Sequence, residues 1–233
     1  AALSKSTRGC LVIFEGQKKN DKFRIGVDST GTDKQTTDSK KKKSKYSVSV
    51  TKLFDPEPDA RSYCDVAEFT IEPEKQEECF RLTFLICRLY NKYDNCKILP
   101  EGNIGTAPAI VGYFENRGGL KMMLKQPKYL GTDSKETLNR FCFYRDGTVL
   151  ETQILLVNQA IRMYGHFINS VDLIDDLLRV GKSNADLASA YMAAILGWGG
   201  FSNPEGRKEK PKQKWMECVG RDANGVQIWK ERG

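Results

Sequence analysis

The chain of 233 residues reads as an α+β fold, with a β-rich N-terminal part, a helical block over about residues 154–196 and a C-terminal β-hairpin. Three observations carry this reading. Period-two patterns dominate as far as Ile71, apolar spacing of three to four residues dominates the later block, and an Asn-Gly pair splits two extended runs near the end. Strands and helices segregate without βαβ alternation, which argues against a doubly wound sheet.

In order, "RGCLVIFEG" (Arg8 to Gly16) and "DKFRIGVDS" (Asp21 to Ser29) read as short strands joined by a polar turn. "KYSVSVTKLF" (Lys45 to Phe54) alternates strictly, "DPEPDA" interrupts it, and "SYCDVAEFTI" (Ser62 to Ile71) resumes an extended pattern. Pro73 followed by "EKQEE" places acids at a helix N-terminus, where the macrodipole favours them. Leu82, Leu85, Ile86, Leu89 and Tyr93 then fall at helical spacing, although Phe80, Leu82, Phe84 and Ile86 also alternate as a strand would.

"EGNIGTAP" (Glu101 to Pro108) reads as a loop, and the region from Ala109 to about Leu150, with its Gly118–Gly119 pair and Asp146–Gly147 turn, has room for one hairpin. Three amphipathic stretches follow, "ILLVNQAIRMYGHF", "SVDLIDDLLRVG" and "SNADLASAYMAAILG". Ser170 and Ser183 suit N-cap positions, while Gly181 and Gly197 suit helix C-termini. This block is expected to supply most of the core, with Leu173, Leu177, Leu187 and Ile195 buried. Asn224–Gly225 then marks the final hairpin. The whole is expected to form a single α+β domain, with flexible basic segments at about 31–45 and 203–214 and a subdivision near 131 as the alternative.

Charge is unevenly distributed. The formal net charge is +7, yet Lys40, Lys41, Lys42, Lys43 and Lys45 contribute +5 and "RKEKPKQK" (Arg207 to Lys214) contributes +4, leaving about −2 for everything else. Both tracts lie in Lys/Ser/Thr/Pro/Gly-rich sequence that cannot bury a core. The seven cysteines are odd in number, spread out and without C-x-x-C spacing, which points to free thiols and away from a zinc site or a redox dithiol. No apolar run reaches 18 residues, so the chain is expected to be soluble and intracellular, in cytoplasm or virion.

Catalytic motifs are scarce. "GKS" at Gly181 to Ser183 mimics the end of a phosphate-binding loop, but the required first glycine is replaced by Asp176. His166 is the only histidine and has no accompanying nucleophile signature. Asp172, Asp175 and Asp176 read as the solvated first turns of a helix. On these grounds neither enzymatic activity, nor a catalytic residue, nor a metal, nor a cofactor is expected.

The basic tracts point to a polyanion, since neutralising phosphates releases condensed counterions. Lys40, Lys41, Lys42, Lys43, Lys45, Arg207, Lys208, Lys210, Lys212 and Lys214 are the candidate phosphate contacts. Tyr46 and Trp215, each beside a tract, are candidates for base stacking or for the first anchored residue of a strand. Lysine lacks the planar fork that reads base edges, so binding should tolerate any sequence. A compact body with basic arms resembles, in layout alone, the coat and nucleocapsid proteins of RNA viruses. That resemblance implies a homo-oligomer that packages single-stranded RNA. The alternative is a peripheral matrix or scaffold protein whose lysines meet anionic membrane surfaces or protein partners, and "KKKKSK" would also serve as an address for an import receptor.

Overall fold

In the computed structural model, residues 10–29, 45–57, 60–72, 75–102, 106–127, 141–145, 147–180, 185–198, 216–221 and 227–231 are described. The chain divides into two compact units, Ala1–Gly200 and Phe201–Gly233. In the second, β6 (Met216–Arg221) pairs antiparallel with β7 (Gln227–Glu231), which is the hairpin expected at the C-terminus.

The first unit is built on a five-stranded sheet of β1 (Leu11–Ile13), β2 (Phe23–Asp28), β3 (Tyr46–Glu57), β4 (Ala60–Ile71) and β5 (Cys96–Pro100), in the spatial order β1-β4-β3-β2-β5. β2, β3 and β4 form an antiparallel meander, as the alternating segments imply. β5 is the exception. The chain leaves β4 through α1 (Gln76–Tyr90) and returns to lie parallel to β2, with Phe23 opposite Cys96 and Val27 opposite Pro100. The fold is α+β as expected, but one parallel pair went unread because "CKILP" is too short to announce a strand.

α1 settles the helix-or-strand ambiguity. Its buried residues, Cys79, Phe80, Thr83, Phe84, Ile86, Cys87 and Tyr90, recur at helical spacing, with Glu77 and Glu78 in the first turn and Arg88 in the last. The inward face differs from the expected one: Leu82 and Leu85 are half-buried, and Leu89 and Tyr93 are exposed. α2 (Thr106–Glu115) and a 3-10 turn (Leu120–Met122) take the place of the hairpin expected after Ala109.

Alternation along the strands separates two unlike faces. Phe23, Ile25, Val27, Tyr46, Val48, Val50 and Phe69 pack with α1 and α2 into the main apolar cluster. Tyr46 donates or accepts one hydrogen bond with Thr83 at 2.8 Å. Among the described residues none beyond Met123 belongs to the buried part of that cluster, so residues 154–196 do not supply most of the core.

The opposite sheet face presents Gly26, Ser47, Ser49, Thr51 and Glu68. It is nevertheless buried: Ser47, Ser49 and Thr51 are all at 1% exposure or less. Three helices lie on this side, α3 (Gly147–Tyr164), α4 (Val171–Arg179) and α5 (Asp186–Leu196). α5, "DLASAYMAAIL", is buried on every side from Leu187 to Leu196, as a helix apolar all round must be. Its alanines lie directly on Gly26, where an added Cβ would stand 1.9 Å from the Ala190 carbonyl oxygen. Arg24 Nε donates to the Gly197 carbonyl at 3.1 Å and its guanidinium lies 4.5 Å from the Trp198 ring, tying the end of α5 to β2.

Of the four leucines and isoleucines expected in the core, Leu173, Leu187 and Ile195 are buried, while Leu177 is only half-buried. Ser170 caps α4 as expected, accepting from the Leu173 N–H at 2.9 Å. Asp65 reinforces that end. Its carboxylate, 1% exposed, accepts from the backbone N–H of Asn169 at 2.7 Å and of Ser170 at 3.0 Å. Asp65→Ala strands both donors, and is expected to cost about 2 kcal/mol. A urea titration should show the midpoint falling at unchanged slope.

Cys79, Cys87 and Cys96 are buried free thiols and Cys142 is buried, whereas Cys64 is half-buried and Cys10 exposed. Burial pushes the Cys79 thiol up to about 11 and the Cys96 thiol up to about 12, which keeps both protonated and unreactive.

Candidate active site

The parallel pairing of β2 and β5 brings two acids together at one end of the sheet. Asp28 is the last residue of β2, and Glu101 follows Pro100 at the end of β5, its N–H bonded to the Val27 carbonyl at 2.9 Å. In open sheets with helices on both faces, ligands are received outside the carboxyl ends of such strands. Asp186, the first residue of α5, is the third acid, and it acts electrostatically on Asp28 together with Glu101. Asp186 Oδ2 accepts from the Lys45 backbone N–H at 3.0 Å, so the entrance of β3 is fastened to the same end.

One cation sits among these acids. Arg145 Nη2 lies 2.6 Å from Glu101 Oε2, and Arg145 Nη1 donates to the Ser189 hydroxyl at 3.3 Å. Ser189, one turn into α5, also shares a side-chain hydrogen bond with Asp28. Glu101 is 1% exposed, and its carbonyl accepts from the Ser29 hydroxyl at 3.3 Å. Burial, with the Glu101 and Asp186 charges added, holds the Asp28 carboxyl well above its usual range in spite of Arg145 and Ser189.

The cluster has the chemistry of a hard-cation site. With all three carboxyls ionised, as a bound cation would favour, they would outnumber the one guanidinium by two charges, the complement of one divalent cation, and oxygen ligands are what magnesium or manganese takes. As the side chains stand, no group of three His, Cys, Asp or Glu among the described residues converges on a metal position. The guanidinium of Arg145 occupies the side of Glu101 where a cation would balance it.

The residues singled out from the sequence lie elsewhere or have other duties. Lys40, Lys41, Lys42 and Lys43, and the whole of Arg207–Trp215, fall outside the described residues, as do Gly181 to Ser183. Lys45 is half-buried and meets the cluster through its backbone. Tyr46 is 1% exposed in the apolar core and so takes the anchoring role, with no ring face open to a base. His166 is exposed against Phe167. Asp176 is not merely solvated: its Oδ2 accepts from the Leu187 N–H at 3.0 Å and caps the first turn of α5.

Asp28, Glu101, Arg145 and Asp186 were missed because no local spacing joins them. A signal existed in two places, "FRIGVD" and "CKILPE", where an acid ends an apolar strand.

No protein-family model matches the chain, and no curated protein matches it. Among solved structures it is similar to the large terminase nuclease from thermophilic phage G20c, at 13% identity and a TM-score of 0.48, over 84% of this chain and 92% of that one. The same nuclease with bound zinc matches at 12% identity and a TM-score of 0.49, over 84% and 92% of the two chains. With bound cobalt it matches at 12% and 0.49, over 84% and 91%. The expectation of a coat, nucleocapsid or matrix protein without enzymatic activity is corrected here: the solved structures the chain is similar to are terminase nucleases.

Proposed function

We propose that the protein is a divalent-cation-dependent nuclease that hydrolyses phosphodiester bonds at the Asp28–Glu101–Asp186 cluster. The observation that carries this reading is the meeting of Asp28 and Glu101 at the carboxyl ends of two parallel strands, with Arg145 paired to Glu101 and Asp186 acting electrostatically on Asp28. A cation bound there supplies polarisation of a phosphoryl oxygen and a water of lowered pKa. Asp28, Glu101 and Asp186 are the residues that would hold it. Ser189 orients the Asp28 carboxylate, and Arg145 balances Glu101 while offering the planar fork that suits a phosphate oxygen.

The substrate class follows from the charge pattern. Lys45 ends the lysine block and is fastened by its N–H to Asp186, so the lysines Lys40–Lys43 are its near neighbours in sequence. Lysines there would hold the phosphate backbone by charge, without reading sequence. The partner is accordingly nucleic acid, with no preference for RNA retained. Replacing Lys40–Lys43 by glutamine should weaken binding of every oligonucleotide alike, and reduce the slope of log affinity against log salt by about 0.7–0.9 for each phosphate no longer neutralised. An unchanged slope would leave the block as a solubilising segment.

The reading is tested by incubating the protein with supercoiled DNA, linear DNA and single-stranded RNA in magnesium or manganese. At least one polymer should be cut, and EDTA should stop the reaction. If none is cut by protein whose circular dichroism shows it folded, the nuclease reading fails.

A further inference from the structure

We propose that a basic groove on the other side of the sheet, between the C-terminal half of α1 and the turn Arg117–Lys121, is a second nucleic-acid contact that grips the phosphate backbone away from the carboxylate cleft. The groove has a volume of about 1070 Å3. It lies by the loop that enters β5, at the amino ends of β2 and β5, whereas Asp28 and Glu101 stand at their carboxyl ends. The inference goes beyond the nuclease reading and holds whether or not the cleft cuts.

The charge of the groove is one-sided. Arg81, Arg88, Lys92, Arg117 and Lys121 line it, against Asp94 alone. Arg81 is 3.5 Å from Glu78 and Lys121 is 3.3 Å from Asp94, both as exposed pairs of the kind that contribute little. No ion pair engages Arg88, Lys92 or Arg117 among the described residues. A helix dipole explains a base in the last turn of α1, but it does not explain why a separate segment turns Arg117 and Lys121 to the same space. Arg81 and Arg88 are seven residues apart, which is two turns on one face and about 10 Å along the axis.

The chemistry favours nucleic acid over an acidic peptide or a lipid surface. Three of the five cations are arginines, whose fork matches phosphate oxygens. The Arg117 guanidinium lies 3.5 Å from the centroid of the Tyr113 ring, so a cation and an aromatic surface stand together on the groove wall. Leu89, 41% exposed on the wall, offers apolar surface to a sugar or base. That combination of cations with flat and apolar surface is the one single strands use, and a concave wall does not suit a bilayer.

The test uses the Asp28→Asn chain, so that no cleavage confuses the reading, with fluorescence anisotropy of a labelled oligonucleotide in EDTA. Adding Arg88→Gln and Arg117→Gln should weaken binding roughly tenfold and lower the salt slope by about 1.4–1.8, the value for two phosphates. Both side chains are exposed, and matching circular dichroism confirms that the fold is kept. Unchanged affinity and slope overturn the proposal. So does equal displacement of the oligonucleotide by polyglutamate at matched charge, which would assign the groove to an acidic protein segment, or by phosphatidylserine vesicles, which would assign it to a membrane. Failure of the nuclease reading would appear separately, as absence of cleavage by the parent chain.

Discussion

Gly26→Ala is expected to lower stability by about 3 kcal/mol or more, at the upper end of what overpacking a core does. The added methyl would meet three backbone atoms of α5, the Ala190 carbonyl oxygen at 1.9 Å, the Ala194 nitrogen at 2.3 Å and the Ala193 carbonyl carbon at 2.9 Å. Side chains swing aside, but a helix backbone does not. α5 must therefore lift from the sheet as a body, loosening Leu187 to Leu196 together. Because Asp186 and Ser189 ride on the same helix, the variant should lose cleft chemistry along with stability. Gly112→Ala is the control: it is inside α2, nothing lies within 4 Å of the added carbon, and removal of a helical glycine should raise stability by up to about 1 kcal/mol. Paired thermal melts decide the matter, and a Gly26→Ala protein as stable as its parent would mean that α5 does not rest where it is placed.

Asp28→Asn is expected to abolish cleavage, by at least a hundredfold, while leaving the fold intact or strengthened. The carboxyl is held above its ordinary range by burial first, then by Glu101 and Asp186. An acid whose folded pKa is raised contributes stability fully present below its unfolded pKa, about 3.9, and lost as pH rises through the folded value. The parent should therefore lose stability over that window from this group, whereas the amide cannot. In EDTA, the melting temperature of Asp28→Asn relative to the parent should climb as pH rises from about 4 toward neutrality. Magnesium should then raise the parent's melting temperature and not the variant's, since a cation that binds only the folded state stabilises it. Retained cleavage, or a variant less stable than the parent at neutral pH in EDTA, would remove Asp28 from the site.

The meander β2–β4, α1, the cap Ser170 and the final hairpin were legible because each is written in adjacent residues. The alternation of "YSVSV" gives the strand, but it cannot say that the serine face is covered, since a helix of small residues seals it as completely as the apolar cluster seals the other. α2 was hidden by Pro108 and Gly112 inside its own span, and β5 by its brevity. The cleft was illegible for a different reason. Asp28 and Glu101 become neighbours only through a parallel pairing whose crossover runs through α1, and Asp186 joins them only when α5 packs across Gly26. Lysine blocks are conspicuous because they are contiguous, whereas the acid cluster is assembled at long range.

The position of α5 in the order of synthesis has its own consequence. The main apolar cluster draws its buried residues from Phe23 to Met123, so a nascent chain has that material in hand well before α5 leaves the ribosome. Until then the serine-bearing sheet face lacks the helix that covers β2 and β3, and Asp28 and Glu101 await their third partner. Docking of α5 on β2 brings together residues as far apart in sequence as Arg24 and Gly197, so it is expected to be a slow and late step. The carboxylate cluster and the fold of the first unit are therefore completed in the same event, since Asp186 arrives only with α5.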